Sequence, residues 1–322
     1  MPATITHAFF AKDLYDILDD KIAKKIDFDY LKMFSQSTDP LMFYNLLSVL
    51  PGKKIRKFQN YFHDNKSQDF FITLLNYIRS TDIKDSEVLS FLVGFISHYA
   101  LDSTLHPYII YKTGKMNKRI PSTYKYNNVH HFMESFIDMD MVRRRLKIDP
   151  YSYDFTNYCF TKKKFSNDLN RTINYTFYTT FRIKDMSKIY YKSLKQTRRY
   201  LKLFRMDKHG IKKNLYKVID TVTPRKWFRF EAISYHQSLE DKHNYLNNNH
   251  TLWRNPVEYD MTSNESFIEL YIKALGKANE MVRKSFEFLD GKNVQLEKVF
   301  DNTSYATGVE CGRYKELKYF EF

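Results

Sequence analysis

Apolar residues recur at three- and four-residue steps along much of this chain, the spacing of one face of an α-helix. The run "FIELYIKALGKANEMVRKSFEFL" holds that period throughout, and "TSNES" ahead of it supplies capping residues. The pattern predicts helices over residues 8–20, 67–79, 86–105, 127–147, 186–205 and 263–289, with Ser67 as an N-cap. Loops are expected over 51–54, 113–122, 149–154 and 247–260, and the tail "DNTSYATGVECGRYKELKYFEF" has no period. Gly and Pro number only eight each. The expected fold is therefore all-α, a multi-helix bundle with no repeat and no low-complexity linker. One domain over 1–322 is expected. Its half to about residue 150 is His-rich, and 151–322 is basic and aromatic.

One helical stretch breaks its own apolar pattern. "GFISHYALDSTLHPYIIY" carries His98, Asp102 and His106 at four-residue steps. Each step drifts only about 40° around a helix, so the three side chains share a face. "HHFMESFID" repeats the device with His130, Glu134 and Asp138, of which Asp138 is expected to be exposed. Polar groups spaced so regularly among apolar ones need hydrogen-bond partners or a metal. A single histidine on an apolar helix is usually a bonded core residue, but two His–carboxylate stripes change the balance. If the two helices pack together, the stripes can meet inside the bundle, a common place for metal sites. Imidazole and carboxylate are natural zinc ligands, and Asp102 is placed to bridge two ions. His7 and His63 are the extra ligands at hand. His131, about 100° from His130, belongs behind or outside such a site.

Charge changes the picture in the second half. Residues 161–230 carry 13 Lys and 7 Arg against 4 Asp and no Glu, so the whole excess of +15 lies there, interleaved with aromatics. Such a stretch attracts polyanions, either nucleic acid or an anionic membrane surface, or is simply a solvated face. Two cysteines cannot make a disulfide framework and fit a reducing compartment. The start lacks a secretory signal, and no stretch approaches a transmembrane span, so a soluble, cytoplasmic protein is expected. His236, His243 and His250, at seven-residue steps, read as a polar helix and loop near the cleft. His209 reads as a helix end before Gly210, and Trp227 and Trp253 as core or cleft wall. There is no Gly-rich phosphate loop and no Ser–His–Asp or Cys–His arrangement.

The segments "THAFFAKDLYDIL", "STDPLMFY", "YFHDNKSQDFF", "GFISHYALDSTLHPYI" and "HHFMESFID" resemble the zinc-dependent phospholipase C family, more distantly the single-strand-specific zinc nucleases. The resemblance covers about the first 140 residues. "HNYLNNNHTLWRNP" and "NTSYATG" are similar to an intracellular bacterial branch. The family resemblance implies an all-α fold with three zinc ions in a cleft, of which two or three are expected here. His63, His98 and Asp102 would hold one, His106, His130 and Glu134 a second, and His7 with Asp102 a third. Asp39, in "STDP", falls at the place of the catalytic carboxylate, although an Asp-Pro is also a common turn. In secreted members an N-terminal Trp binds the third zinc. Here the chain begins Met1-Pro2, so that site is expected to be weaker, differently ligated or empty. The step from Asp102 to His106 is also shorter than in secreted members.

The implied activity is zinc-dependent hydrolysis of a phosphate ester, foremost a phospholipase C-like phosphodiesterase. The alternatives are a nuclease-type phosphodiesterase on the same metals, and a non-catalytic zinc protein that binds nucleic acid or membrane through residues 161–230.

Overall fold

The structure, a computed structural model, describes residues 4–46, 48, 50–205, 209–224, 229–233, 235, 240–312 and 316–321. Among them run α1 (Thr4–Ile17), α2 (Asp20–Ala23), α3 (Phe28–Phe34), α4 (Lys53–Asp64), α5 (Ser67–Ser80), α6 (Ser86–Thr113) and α7 (Val129–Leu146). There follow α8 (Phe155–Cys159), α9 (Asn167–Phe181), α10 (Met186–Arg205), α11 (Ile211–Val222), α12 (Phe267–Leu289) and α13 (Leu296–Val299). Short 3-10 turns include Asp39–Phe43 and Glu231–Ile233. The only described strands, β1 (Trp253–Arg254) and β2 (Thr262–Ser263), form one antiparallel pair. The fold is all-α.

The central helix is α6, against which α12, α3, α1, α7 and α9 pack. Asp85 starts it by accepting from the Glu87 and Val88 amides at 2.8 and 3.2 Å. By length and hydropathy α6 is able to cross a membrane, contrary to expectation, but 94% of that window is buried inside this fold. Its apolar surface faces other helices all round, which is what an all-round hydrophobic helix in a large core does. It also outruns the predicted end at 105. Pro107 cannot donate to Ser103, and the tail covers that carbonyl through Gly308 (φ +67), where a Cβ would come within 2.9 Å of it.

On α12 the apolar stripe Phe267, Leu270, Tyr271, Ala274, Ala278 and Met281 faces the core, and Ser266 with Glu269 forms a capping box. Several expectations need correction. Lys66 in left-handed backbone, not Ser67, precedes α5; the Ser67 hydroxyl instead donates to the Thr303 carbonyl at 3.0 Å. The loop expected over 51–54 gives way to α4 at Lys53. Gly210 (φ +69) begins α11 rather than ending a helix at His209. His243 and His250 lie in turns, not on a helix, while His236 and Trp227 lie outside the described residues. Trp253 is buried, its indole donating to the Glu265 carbonyl at 3.0 Å.

Candidate metal centre

Five elements bring the sequence-predicted residues together. Steps of four along α6 put His98, Asp102 and His106 on one face, and the first two turns of α7 present His130 and Glu134. His7 comes from α1 and His63 from α4, and Asp39 opens the 3-10 turn after α3. Asp102 stands between them. Its Oδ1 lies 3.3 Å from His7 Nε2, and its Oδ2 lies 2.9 Å from His98 Nε2 and 3.6 Å from His106 Nδ1. Glu134 Oε1 lies 3.0 Å from His130 Nε2 and 3.7 Å from His106 Nε2, so the two stripes do meet. Asp39 Oδ1 faces His63 Nε2 at 3.3 Å.

The donors form three trios: His7, Asp39 and His98; His63, His98 and Asp102; His106, His130 and Glu134. Within each, one ligand atom per residue lies within 4.8 Å of the others. His98 belongs to two trios. Its Nδ1 donates to the Ser35 carbonyl at 2.9 Å, which leaves one lone pair, on Nε2, facing the cluster. The Tyr305 carbonyl takes His106 Nδ1–H at 2.9 Å to the same effect. His63 is held differently. Gln59 Nε2 donates to Asp39 Oδ1 at 2.9 Å and lies 3.3 Å from His63 Nδ1.

These groups suit a cation. His7 Nδ1, His63 Nε2, His98 Nε2, Asp102 Oδ2 and Glu134 Oε2 are buried without a hydrogen bond. Lone pairs of imidazole and carboxylate aimed at one another in a dry interior are costly unless a proton or metal lies between them. The titration of the cluster reports the same field. Burial would raise Asp102, but His106, His98 and His7 hold it well below the usual carboxylate range. Burial likewise opposes His106, yet Asp102 and Glu134 lift it to about 9. His98 is raised against burial by Asp102, whereas burial pushes His63 down to about 4. Asp39 is lowered, burial being outweighed by His98 and His63.

Asp138 stands apart and is not exposed. It accepts from the Ile5 and Thr6 amides, the Thr6 hydroxyl and the Tyr235 hydroxyl at 3.3, 2.8, 2.7 and 2.6 Å. It therefore seats the start of α1, one turn before His7, on α7. His131 Nδ1 lies 3.7 Å from Glu134 Oε2, behind the trio, and burial lowers it to about 4.

Sequence reasoning missed Ser35, Gln59 and Tyr305. Gln59 had a signal, four residues before His63 on the same helix face. Ser35 acts through its backbone. Tyr305 stacks on His63 at 5.0 Å from a stretch without period.

The basic stretch forms the outer sides of α9–α11, and none of its described Lys or Arg side chains is fully buried. Cys159 and Cys311 are both buried and free.

A family model described as zinc-dependent phospholipase C matches residues 6–196, more than half of the chain and every residue of the three trios. No curated protein and no solved structure gives a significant match.

Proposed function

This chain belongs to the zinc-dependent phospholipase C family, and on that premise we propose that it hydrolyses phosphate esters, with the phosphodiester of a phospholipid headgroup foremost. The convergence of unbonded, buried imidazole and carboxylate atoms on Asp102 and Glu134 carries this reading.

His106, His130 and Glu134 would hold one zinc ion, and His98 with His63 and Asp102 another. Because Ser35 occupies His98 Nδ1, His98 serves one ion only, and the trio with His7 and Asp39 competes for it. Two ions per chain is the count that the described residues support. Zinc bound there supplies Lewis acidity, which activates water near neutral pH and neutralises charge on phosphoryl oxygens.

The chain's own groups do the rest. Asp39, kept ionised by its histidine neighbours and aimed by Gln59, orients the attacking water and takes its proton. Ser35 and Tyr305 fix which imidazole nitrogen faces the cluster. His130, with 28% of its side chain exposed, marks the side open to substrate.

Replacing Asp39 with Asn tests the role assigned to it. Hydrolysis of a short-chain phosphatidylcholine should fall by about 10²–10⁴-fold, the usual worth of a general base, with zinc content unchanged. Unaltered turnover would remove Asp39 from the reaction. Cleavage of single-stranded DNA in place of lipid would move the substrate to nucleic acid.

A further inference from the structure

On α11, the residues Ile211, Leu215, Val218 and Val222 are 71%, 57%, 62% and 81% exposed. At 100° per residue they fall within about 60° of one another, a narrow aliphatic stripe turned outward. The opposite side holds the helix to the molecule. Tyr216 and Asp220 are buried there, and Asp220 accepts from the Phe230 and Glu231 amides at 3.0 and 2.9 Å. The stripe is therefore surplus to folding. Scattered exposed aliphatics are ordinary; four in register on one helix are not.

We propose that α11 is an interfacial helix that docks the protein on an anionic phospholipid surface. Around the helix, Lys212 lies about 60° beyond one edge of the stripe and Lys217 about 100° beyond the other; Lys212 also reaches the Leu203 carbonyl at 2.8 Å, and Leu203 is itself 52% exposed. An apolar stripe between lysines is the pattern of helices that lie in the plane of a membrane, with aliphatics in the acyl boundary and ammonium groups at headgroup level. The excess positive charge of residues 161–230 has the sign such a surface requires.

Other occupants fit less well. Nucleic acid takes basic and aromatic groups, and this stripe is aliphatic. A stable dimer buries about 800 Å² per partner from 20–30 residues, more than four side chains on a helix about 18 Å long provide.

The surface lies outside the metal cluster but is joined to it. The turn Glu231–Ile233 carries α11 and packs on α7, where the Ser135 hydroxyl, next to Glu134, donates to the Ala232 carbonyl at 3.4 Å. A bilayer held by α11 would thus rest beside the helix that supplies His130 and Glu134.

Sedimentation of the full chain with phosphatidylcholine vesicles, with and without phosphatidylglycerol, tests the proposal without reference to turnover. Partition should require phosphatidylglycerol and weaken with salt. It should drop at least tenfold in the double variant Leu215→Glu, Val218→Glu, and about fivefold in Lys217→Gln, from roughly 1 kcal/mol per lysine. Zinc content and the rate on a soluble, monomeric phosphodiester should stay at wild-type values, because the stripe is exposed. Absence of vesicle binding, or binding indifferent to the double variant, would overturn the proposal. So would a dimer that the double variant dissociates, or retention on single-stranded DNA without retention on vesicles.

Discussion

Gln59 shows how the centre depends on single side chains that are not themselves candidate ligands. One amide nitrogen serves both Asp39 and His63, so neither can turn without the other. Replacing Gln59 with Leu should lower phosphodiester turnover by about 10–100-fold, the usual worth of an orienting partner, while zinc content and melting temperature move little. Equal loss of zinc and activity would instead make Gln59 a support for the metal. At this scale the sequence was informative where chemistry and period coincide. His98, Asp102, His106, His130 and Glu134 announce themselves because polar residues at helical spacing interrupt apolar runs. Ser35 and Tyr305 could not be read that way, since each acts through a carbonyl that every residue possesses. By spacing Asp138 is the sixth member of the two stripes, although it was expected to be exposed. One further turn along α7 carried it past the cleft to the start of α1.

Helix packing sets the distances on which the centre relies, and α3 against α6 is a tight case. A Cβ on Gly94 would meet Phe34 Cβ at 2.6 Å and the Ser35 amide at 3.0 Å, backbone and side-chain root that cannot swing away. Gly94→Ala should therefore cost about 1–3 kcal/mol of stability by overpacking. It should also weaken zinc binding, because pushing α3 outward moves the Ser35 carbonyl off His98. Thermal melts with zinc titration check both effects; full stability would show that the two helices adjust without strain. The helices legible from sequence were those with a clear apolar stripe, such as α5 and α12, or a long apolar run, as in α6. Those missed had their period disguised. In α9 the buried face includes Thr172, Thr176 and Thr180, which read as polar, and α4 buries Gln59 and His63 alongside two phenylalanines.

The whole molecule closes a charged cluster inside an aromatic core, and its stability must follow pH accordingly. His63 and His131 titrate near 4 in the fold against about 6.5 unfolded, so stability falls as pH drops from 6.5 towards 4. His106 titrates near 9, so its contribution, complete below 6.5, is lost as pH rises towards 9. The metal-free chain should be most stable near pH 6.5. Zinc ligands must shed their protons, so the gain in melting temperature from zinc over chelator should widen from pH 6.5 to 9. A gain that shrinks over that range would contradict the arrangement. Sequence conveyed the helical class and the two stripes. It did not convey that the periodless tail returns to the cluster, because no local pattern encodes a contact nearly two hundred residues away. The most direct test of the central claim is zinc content by plasma mass spectrometry on chelator-free protein, beside His98→Ala and Glu134→Ala. Two zinc ions per chain, with one lost in each variant, is the predicted result. No zinc, or a content that neither variant changes, would contradict the metal centre and the hydrolase built upon it.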